Sequence, residues 1–135
     1  MLILGTPNSN GWGARTFGDR WIHWHAPYHL HLFSRKSMAL AAEQNGLALT
    51  DVRTLTHSDW LHFQWVHLLT RPRMGQPSPF WAPNIQRTFI QKGIMTAMLC
   101  IHLTKIDHVI TRLFDALDMG ANYLFFLRKV GLTLN

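Results

Sequence analysis

Four histidines stand close together in one segment rich in Gly and Trp. His23, His25, His29 and His31 form the pattern HxHxxxHxH, and imidazoles at that density are ligands for zinc or copper. Residues 9–33 contain no Cys or Glu to complete a ligand set, and the spacing fits neither a helix nor a strand register. We therefore predict no native metal site here, although such an array would bind nickel or zinc adventitiously.

Two residues near this array could act on a substrate. Asn8 follows a short apolar run, and its amide could hydrogen-bond a substrate. Open α/β sheets bind ligands outside the carboxyl ends of their strands, which is where Asn8 and the following loop would lie. His29 could act as a general base on a hydroxyl nucleophile, because an imidazole titrates near neutrality. The alternative for His29 is a structural imidazole that bonds loop carbonyls.

Composition limits the class of protein. The chain has 135 residues, 13 Lys and Arg against 7 Asp and Glu, and one cysteine, Cys100. A lone Cys excludes an internal disulfide framework and a thiolate zinc finger, and fits a reducing, cytoplasmic location. The N-terminal segment has no basic region before its short apolar run, so it predicts neither a signal peptide nor a membrane span. The net charge of +6 is scattered and forms no Lys/Arg tract, so no nucleic-acid partner is expected.

The first half of the chain predicts an α/β unit. Residues 2–4 form a continuous apolar run, typical of a strand buried on both faces. Residues 9–33 show no helical period and predict a long loop. Ser34 can cap a helix over residues 35–44 with Gly46 as its left-handed end, and a strand is predicted over 47–56.

The second half predicts helices and one last strand. A short aromatic helix over 60–69 is followed by a Pro-rich linker over 71–83. Residues 84–118 suit one bent helix or a helical pair, which Gly120 ends. The apolar run 123–127 before Arg128 and Lys129 predicts a buried strand.

The segment between Asp59 and Asp107 contains no acidic residue but several cationic and aromatic ones. That composition favours a surface that binds a partner protein or an anionic membrane peripherally. Its central apolar run, residues 93–103, is too short to span a bilayer. The other interpretation, which we favour, is an amphipathic helix that faces a core or a subunit interface.

The order of these pieces resembles the C-terminal half of a class I S-adenosylmethionine-dependent methyltransferase. In that group the fifth strand ends in TPN and a PxHLxxFS segment opens the next helix. The matching residues here are Thr6, Pro7, Asn8, Phe17, Gly18, Trp21, Pro27, His29, Leu30, His31, Phe33, Ser34, Gly46, Arg128 and Lys129. The resemblance covers residues 1–56 well and 119–130 weakly, with 57–118 as a helical insertion.

The resemblance implies a partial Rossmann-like α/β fold that holds only strands five to seven of the family's sheet. The family holds S-adenosylmethionine with a glycine-rich loop after the first strand and with groups after the second, third and fourth strands. This sequence has no such segments, and Gly11 and Gly13 follow the wrong strand. We therefore expect that the domain starts upstream of Met1, and that the 135 residues alone neither bind S-adenosylmethionine nor act as an enzyme.

The resemblance also suggests a site. His29 is the predicted catalytic residue, and Asn8, Trp21 and His31 are the predicted substrate-binding residues. The acceptor would be a small or lipid-like molecule with a hydroxyl, amine or glycan group. The alternative function is a non-catalytic module that binds a partner protein or an anionic membrane through its basic aromatic segment. In either case the incomplete sheet favours self-association.

Overall fold

A computed structural model describes residues 1–24, 29, 31–69 and 86–131. Eight helices and strands follow one another in these ranges: β1 (Leu2–Pro7), α1 (Trp12–Phe17), α2 (Arg35–Gln44), β2 (Leu47–Thr54), α3 (Asp59–Leu69), α4 (Phe89–Leu103), α5 (Ile106–Ala116) and β3 (Asn122–Lys129). The mixed α/β class predicted from the sequence is confirmed. The predicted linker over 71–83 lies outside the described residues, as do His25, Pro27 and Leu30.

The three strands form one sheet in the order β1-β3-β2. β3 pairs antiparallel with both of its neighbours, so β1 and β2 run in the same direction on either side of it. Phe125 marks the centre of the sheet, since it lies opposite Leu4 on one side and Val52 on the other. The bulge at Thr50 shifts the register of β2, and the Thr50 hydroxyl donates to the carbonyl of Phe126.

The core lies between one face of β3 and α2. Tyr123, Phe125 and Leu127 alternate along β3 and are buried, as the two-residue period of a strand dictates. Met38 and Ala42, one helical turn apart on α2, pack against them. The predicted buried last strand is thereby confirmed.

α2 begins and ends where the sequence predicts. The Ser34 hydroxyl accepts from the backbone nitrogen of Ser37, and the Ser37 hydroxyl accepts from that of Ser34, which is a capping box. Gly46 has a φ of 66°, the left-handed conformation that favours glycine after a helix. Both ends are therefore determined by local sequence.

Two predictions for the first thirty-three residues are wrong. β1 is not buried on both faces, because Leu2, Ile3 and Leu4 are exposed on a strand whose one partner among the described strands is β3. The predicted loop over 9–33 contains α1 and two 3-10 turns, Gly18–Arg20 and Ile22–Trp24. The sequence of α1 has no apolar period that would predict a helix. A tertiary contact supports this helix instead, since the indole of Trp12 stacks on Phe114 with the ring centroids 4.7 Å apart.

The predicted helices of the second half are confirmed. α4 and α5 are the helical pair, broken at Thr104 and Lys105, where Lys105 has a φ of 61°. The two axes differ in direction by 65°. No single helix among the described residues is long and apolar enough to cross a membrane, whereas the bent pair taken together passes that test of length and composition.

A buried polar contact ties the helices to the sheet. The Thr56 hydroxyl donates to Asp115 at 2.8 Å and accepts from the backbone nitrogen of Ala121 at 2.7 Å. A Cβ at Gly120 would clash with the Asp115 carboxylate, so the chain can pass here only with glycine. The end of β2, the end of α5 and the start of β3 are thus fixed to one another.

Candidate functional site

The predicted site residues lie at the carboxyl end of β1 and in the segment after it. Asn8 is buried, and its side chain bonds to the protein itself: the amide nitrogen donates to the carbonyl of Gly120 at 2.9 Å, and the amide oxygen accepts from the backbone nitrogen of Asn10 at 2.9 Å. The backbone nitrogen of Asn8 donates to Ala121. Asn8 therefore has a structural role that joins β1 to β3, and its substrate-binding role stays a prediction.

Trp21, a predicted substrate-binding residue, is buried with 2% of its surface exposed. Its indole contacts the ring of His23 at 4.9 Å and that of Trp24 at 5.2 Å, both edge to face. A Cβ at Gly13 would lie 2.9 Å from the indole nitrogen, so the ring packs tightly against α1. Trp21 is part of an aromatic wall, and direct contact with a substrate stays a prediction.

His23 and His29 are brought together. Their ring centroids lie 5.3 Å apart, and the ring of Trp60 covers His23 at 4.6 Å. We call Trp21, His23, His29 and Trp60 the strand-end cluster. His23 is buried, whereas His29 is exposed at the edge of the cluster, where an acceptor molecule could reach it. His31, the fourth predicted residue, is also exposed.

The two histidines of the strand-end cluster are held neutral. Burial, followed by the nearby His29 and His67, lowers the pKa of His23 to about 3. Burial also lowers the pKa of His29. A neutral imidazole can accept a proton, so His29 has the protonation state that a general base needs near neutral pH. Its catalytic role stays a prediction.

Gln64, which the sequence reasoning missed, positions this segment. Its side-chain oxygen accepts from the backbone nitrogen of Ile22 at 2.8 Å, and its side-chain nitrogen donates to the carbonyl of Arg20 at 2.8 Å. The residue is buried, so its oxygen and nitrogen make the hydrogen bonds that water would otherwise make to the backbone on either side of Trp21. The signal that could have identified it is a lone amide within the otherwise aromatic and aliphatic helix α3.

The strand end forms a wall and no enclosed pocket. The cavity bordered by Trp12, Trp21, His23 and Trp60 measures about 10 Å³, which is the space of one water molecule. The described residues therefore form a packed aromatic wall at this edge of the sheet.

A second polar group, which we call the histidine clasp, joins the three helices of the second half. The Nε2 of His102 lies 3.0 Å from Asp59 at the start of α3, and its Nδ1 lies 2.5 Å from Asp107 in α5. The hydrogen bond with Asp107 raises the pKa of His102. The sequence reasoning identified Asp59 and Asp107 only as the limits of an acid-free stretch, and in the fold these two acids meet at one imidazole.

Three larger cavities lie among the described helices of the second half, and one of about 360 Å³ is lined by Asp59, His102 and Asp107 of the clasp itself. An apolar groove of about 280 Å³ runs between α3, α4 and α5, bordered by Trp65, Met98, Ile101, Ile106 and Ile110 among others. An open cavity of about 640 Å³ is lined by Arg87 and Lys92 at the start of α4. The side chain of His62 lines both cavities. Sequence reasoning did not predict any of these cavities, since none of them belongs to the TPN or histidine motifs.

Among the described residues, Gly11 and Gly13 do not form a cradle for S-adenosylmethionine. The protein itself fills the space beside both glycines. A Cβ at Gly11 would lie 2.5 Å from the carbonyl oxygen of Gly120, and a Cβ at Gly13 would lie 2.9 Å from the indole nitrogen of Trp21. Close packing, and not a cradle for a cofactor, explains both glycines. Within the described ranges no three His, Cys, Asp or Glu side chains are placed to hold a metal ion, and His25 lies outside them.

Comparison with known proteins gives no relative. No protein-family model matches the chain, and no curated protein and no solved structure matches it either.

Proposed function

We propose that this chain carries the acceptor-side half of a class I S-adenosylmethionine-dependent methyltransferase. The observation that supports it is the sheet: β1 and β2 are parallel, β3 runs between them in the opposite direction, and a helix-bearing crossover joins β1 to β2. In the family that the sequence resembles, the last strand is likewise reversed and inserted between the fifth and sixth strands.

The order of strands agrees with the position of the motifs. TPN ends β1, which would be the fifth strand, and Ser34 begins the helix that leads to β2, which would be the sixth. Arg128 and Lys129 lie in and at the end of β3, which would be the seventh. The finer Rossmann-like assignment therefore rests on two independent features, the motif order and the strand directions.

The exposed apolar residues of β1 support the same proposal. In a complete sheet of this kind a fourth strand would pair with the free edge of β1, and helices would cover its faces. Leu2, Ile3 and Leu4 are exposed where that cover would lie. The residues that would bind the methyl donor belong to the strands beyond this edge.

The chain's own residues would serve the methyl acceptor. His29, exposed and neutral, would take the proton from an acceptor hydroxyl, while Trp21 and Trp60 hold His23 behind it. Asn8 fixes the end of β1 to the start of β3, on which this edge of the sheet is built. The acceptor would be a small or lipid-like molecule, and a cytoplasmic location, with peripheral membrane contact, goes with this proposal.

The test is methyl transfer by the protein translated from the same reading frame extended upstream of Met1. His29→Gln should lower kcat by about a hundredfold if it is the general base, and should remove the acidic limb of the pH–rate profile. His108→Gln, an exposed histidine in α5, is the matched control. Transfer that is unchanged by His29→Gln would contradict the role of His29, and an extended protein without any transfer to hydroxyl or amine acceptors would contradict the function.

A further inference from the structure

α5 is an amphipathic helix whose orientation is unusual. Its buried residues are polar, and most of its large apolar residues are exposed. Asp107 and Thr111 are its buried residues. The large apolar side chains that are exposed follow the i, i+3, i+4, i+7 spacing of a single helix face, and they are Ile106, Val109, Ile110 and Leu113, with Leu117 just after the helix end. A helix that packs on a core places such a face inward.

α4 continues the outward apolar surface. None of its residues is buried, although only two of its fifteen side chains are basic, Lys92 and His102. Its outer face consists of small and aliphatic residues at helical spacing, namely Ile90, Gly93, Ile94, Ala97, Cys100 and Ile101. Phe89 at its first position is 91% exposed. A helix that is apolar all round is expected in a protein core or in lipid.

The two outward faces join at the bend. Ile101 of α4 and Ile106 and Ile110 of α5 line the same groove of about 280 Å³, into which Trp65 of α3 also faces. We call the exposed apolar residues of α4 and α5, together with this groove, the apolar helix surface. It spans the 65° bend, because residues of both helices line the same groove, and exposed apolar residues grouped in this way are typical of an interaction surface.

Cations border the apolar helix surface. Arg87 and Lys92 line the open cavity at the start of α4, and Lys105 is exposed at the bend. Residues 86–106 contain no Asp or Glu. Two acids contact His102: Asp107, which is buried, and Asp59, which is partly exposed. Asp115 is paired with Arg112, and Asp118 after α5 is paired with Arg35. The charge over residues 86–106 is therefore positive and complements an anionic partner.

We propose that the apolar helix surface docks on an anionic phospholipid membrane, with α4 and α5 lying in the plane of the headgroups. α4 has 15 residues and is about 22 Å long, shorter than the hydrocarbon core, which suits a helix that lies in the interface. A second copy of the chain fits less well, because an isologous contact would bring the bordering cations of both copies together. The inference does not rest on methyl transfer.

Sedimentation with vesicles tests the proposal on the 135-residue chain. We expect binding to vesicles of equimolar phosphatidylcholine and phosphatidylserine, weaker binding to phosphatidylcholine alone, and weakening by salt because the cations are screened. Leu113→Asn, at a side chain 60% exposed, should weaken binding about tenfold. Lys92→Gln should weaken binding to the anionic vesicles about fivefold.

Matched control positions lie on α2, in the first half of the sequence and outside the apolar helix surface. Leu40 is 55% exposed and Lys36 is exposed, so Leu40→Asn and Lys36→Gln change the same side chains at similar exposure and should leave binding unchanged. Far-ultraviolet circular dichroism confirms that each variant is folded. No binding by the folded chain, equal losses in the α2 controls, or a dimer that Leu113→Asn dissociates without any vesicle binding would overturn the proposal.

Discussion

The surroundings of two histidines shift their pKa values in opposite directions. Burial among aromatic rings lowers the pKa of His23 to about 3, whereas the hydrogen bond with Asp107 raises the pKa of His102. The same side chain therefore links stability to pH with opposite sign in the two halves of the molecule.

We expect His23 to make the protein less stable as the pH falls. Its folded-state pKa of about 3 is below the ordinary value of 6.5, so the unfolded chain binds a proton in this window that the folded chain does not. The free energy of unfolding, measured by urea titration, should fall steadily from pH 6.5 towards 3. His23→Leu should flatten that slope and His108→Gln should not. An equally steep slope in His23→Leu would contradict the buried neutral imidazole.

The histidine clasp should loosen as the pH rises. The pKa of His102 is raised above 6.5, so its contribution to stability is complete below that value and is lost as the pH rises through the raised pKa. Hydrogen exchange of the α4 and α5 amides should therefore quicken relative to β3 on the alkaline side. In His102→Gln, the α4 and α5 amides should exchange quickly relative to β3 at both low and high pH. Identical pH dependence in wild type and variant would argue against the clasp.

At the scale of elements, the parts that local sequence determines were predictable. The capping box at Ser34, the glycine at position 46 and the period of α2 gave that helix its correct bounds. The bend between α4 and α5 was predicted as one of two options, because apolar residues run through it without a Pro or Gly to fix its position.

Elements that depend on distant contacts were not predictable. α1 exists because Trp12 stacks on Phe114, about a hundred residues away in the sequence. The exposure of β1 depends on which strands pair with it, and the histidine clasp depends on a fold that brings Asp59, His102 and Asp107 together. Of the candidate site, the sequence singled out His29, whose catalytic role stays a prediction, and could not identify Asn8 as a buried link between strands.

Asn8→Ala tests that link. Truncation leaves the buried carbonyl of Gly120 without its side-chain partner and removes the part-buried bond to the backbone nitrogen of Asn10. We expect this to cost about 1–3 kcal/mol of unfolding free energy. Asn10→Ala, at an exposed side chain, should cost less than about 0.5 kcal/mol. Urea unfolding of both variants gives the comparison, and equal costs would show that Asn8 does not join β1 to β3.

At the scale of the whole molecule, β1 pairs on one side only among the described strands, and its other edge should drive self-association of the 135-residue chain. Unpaired backbone groups beside exposed Leu2, Ile3 and Leu4 can pair with the same edge of another copy. Ile3→Lys should shift sedimentation towards the monomer, because edge lysines oppose strand pairing. Leu40→Lys on α2 is the control. A wild-type monomer at high concentration would contradict this expectation.

The central claim, that this chain is the acceptor-side half of a methyltransferase, is tested most directly by calorimetric titration with S-adenosylmethionine. Two proteins are compared: the 135-residue chain and the protein translated from the same frame extended upstream of Met1. We predict no saturable binding to the 135-residue chain, because Gly120 and Trp21 pack closely against Gly11 and Gly13 and leave no cradle there. We predict micromolar binding at one site of the extended protein. Binding by the short chain, or none by the extended protein, would contradict the claim.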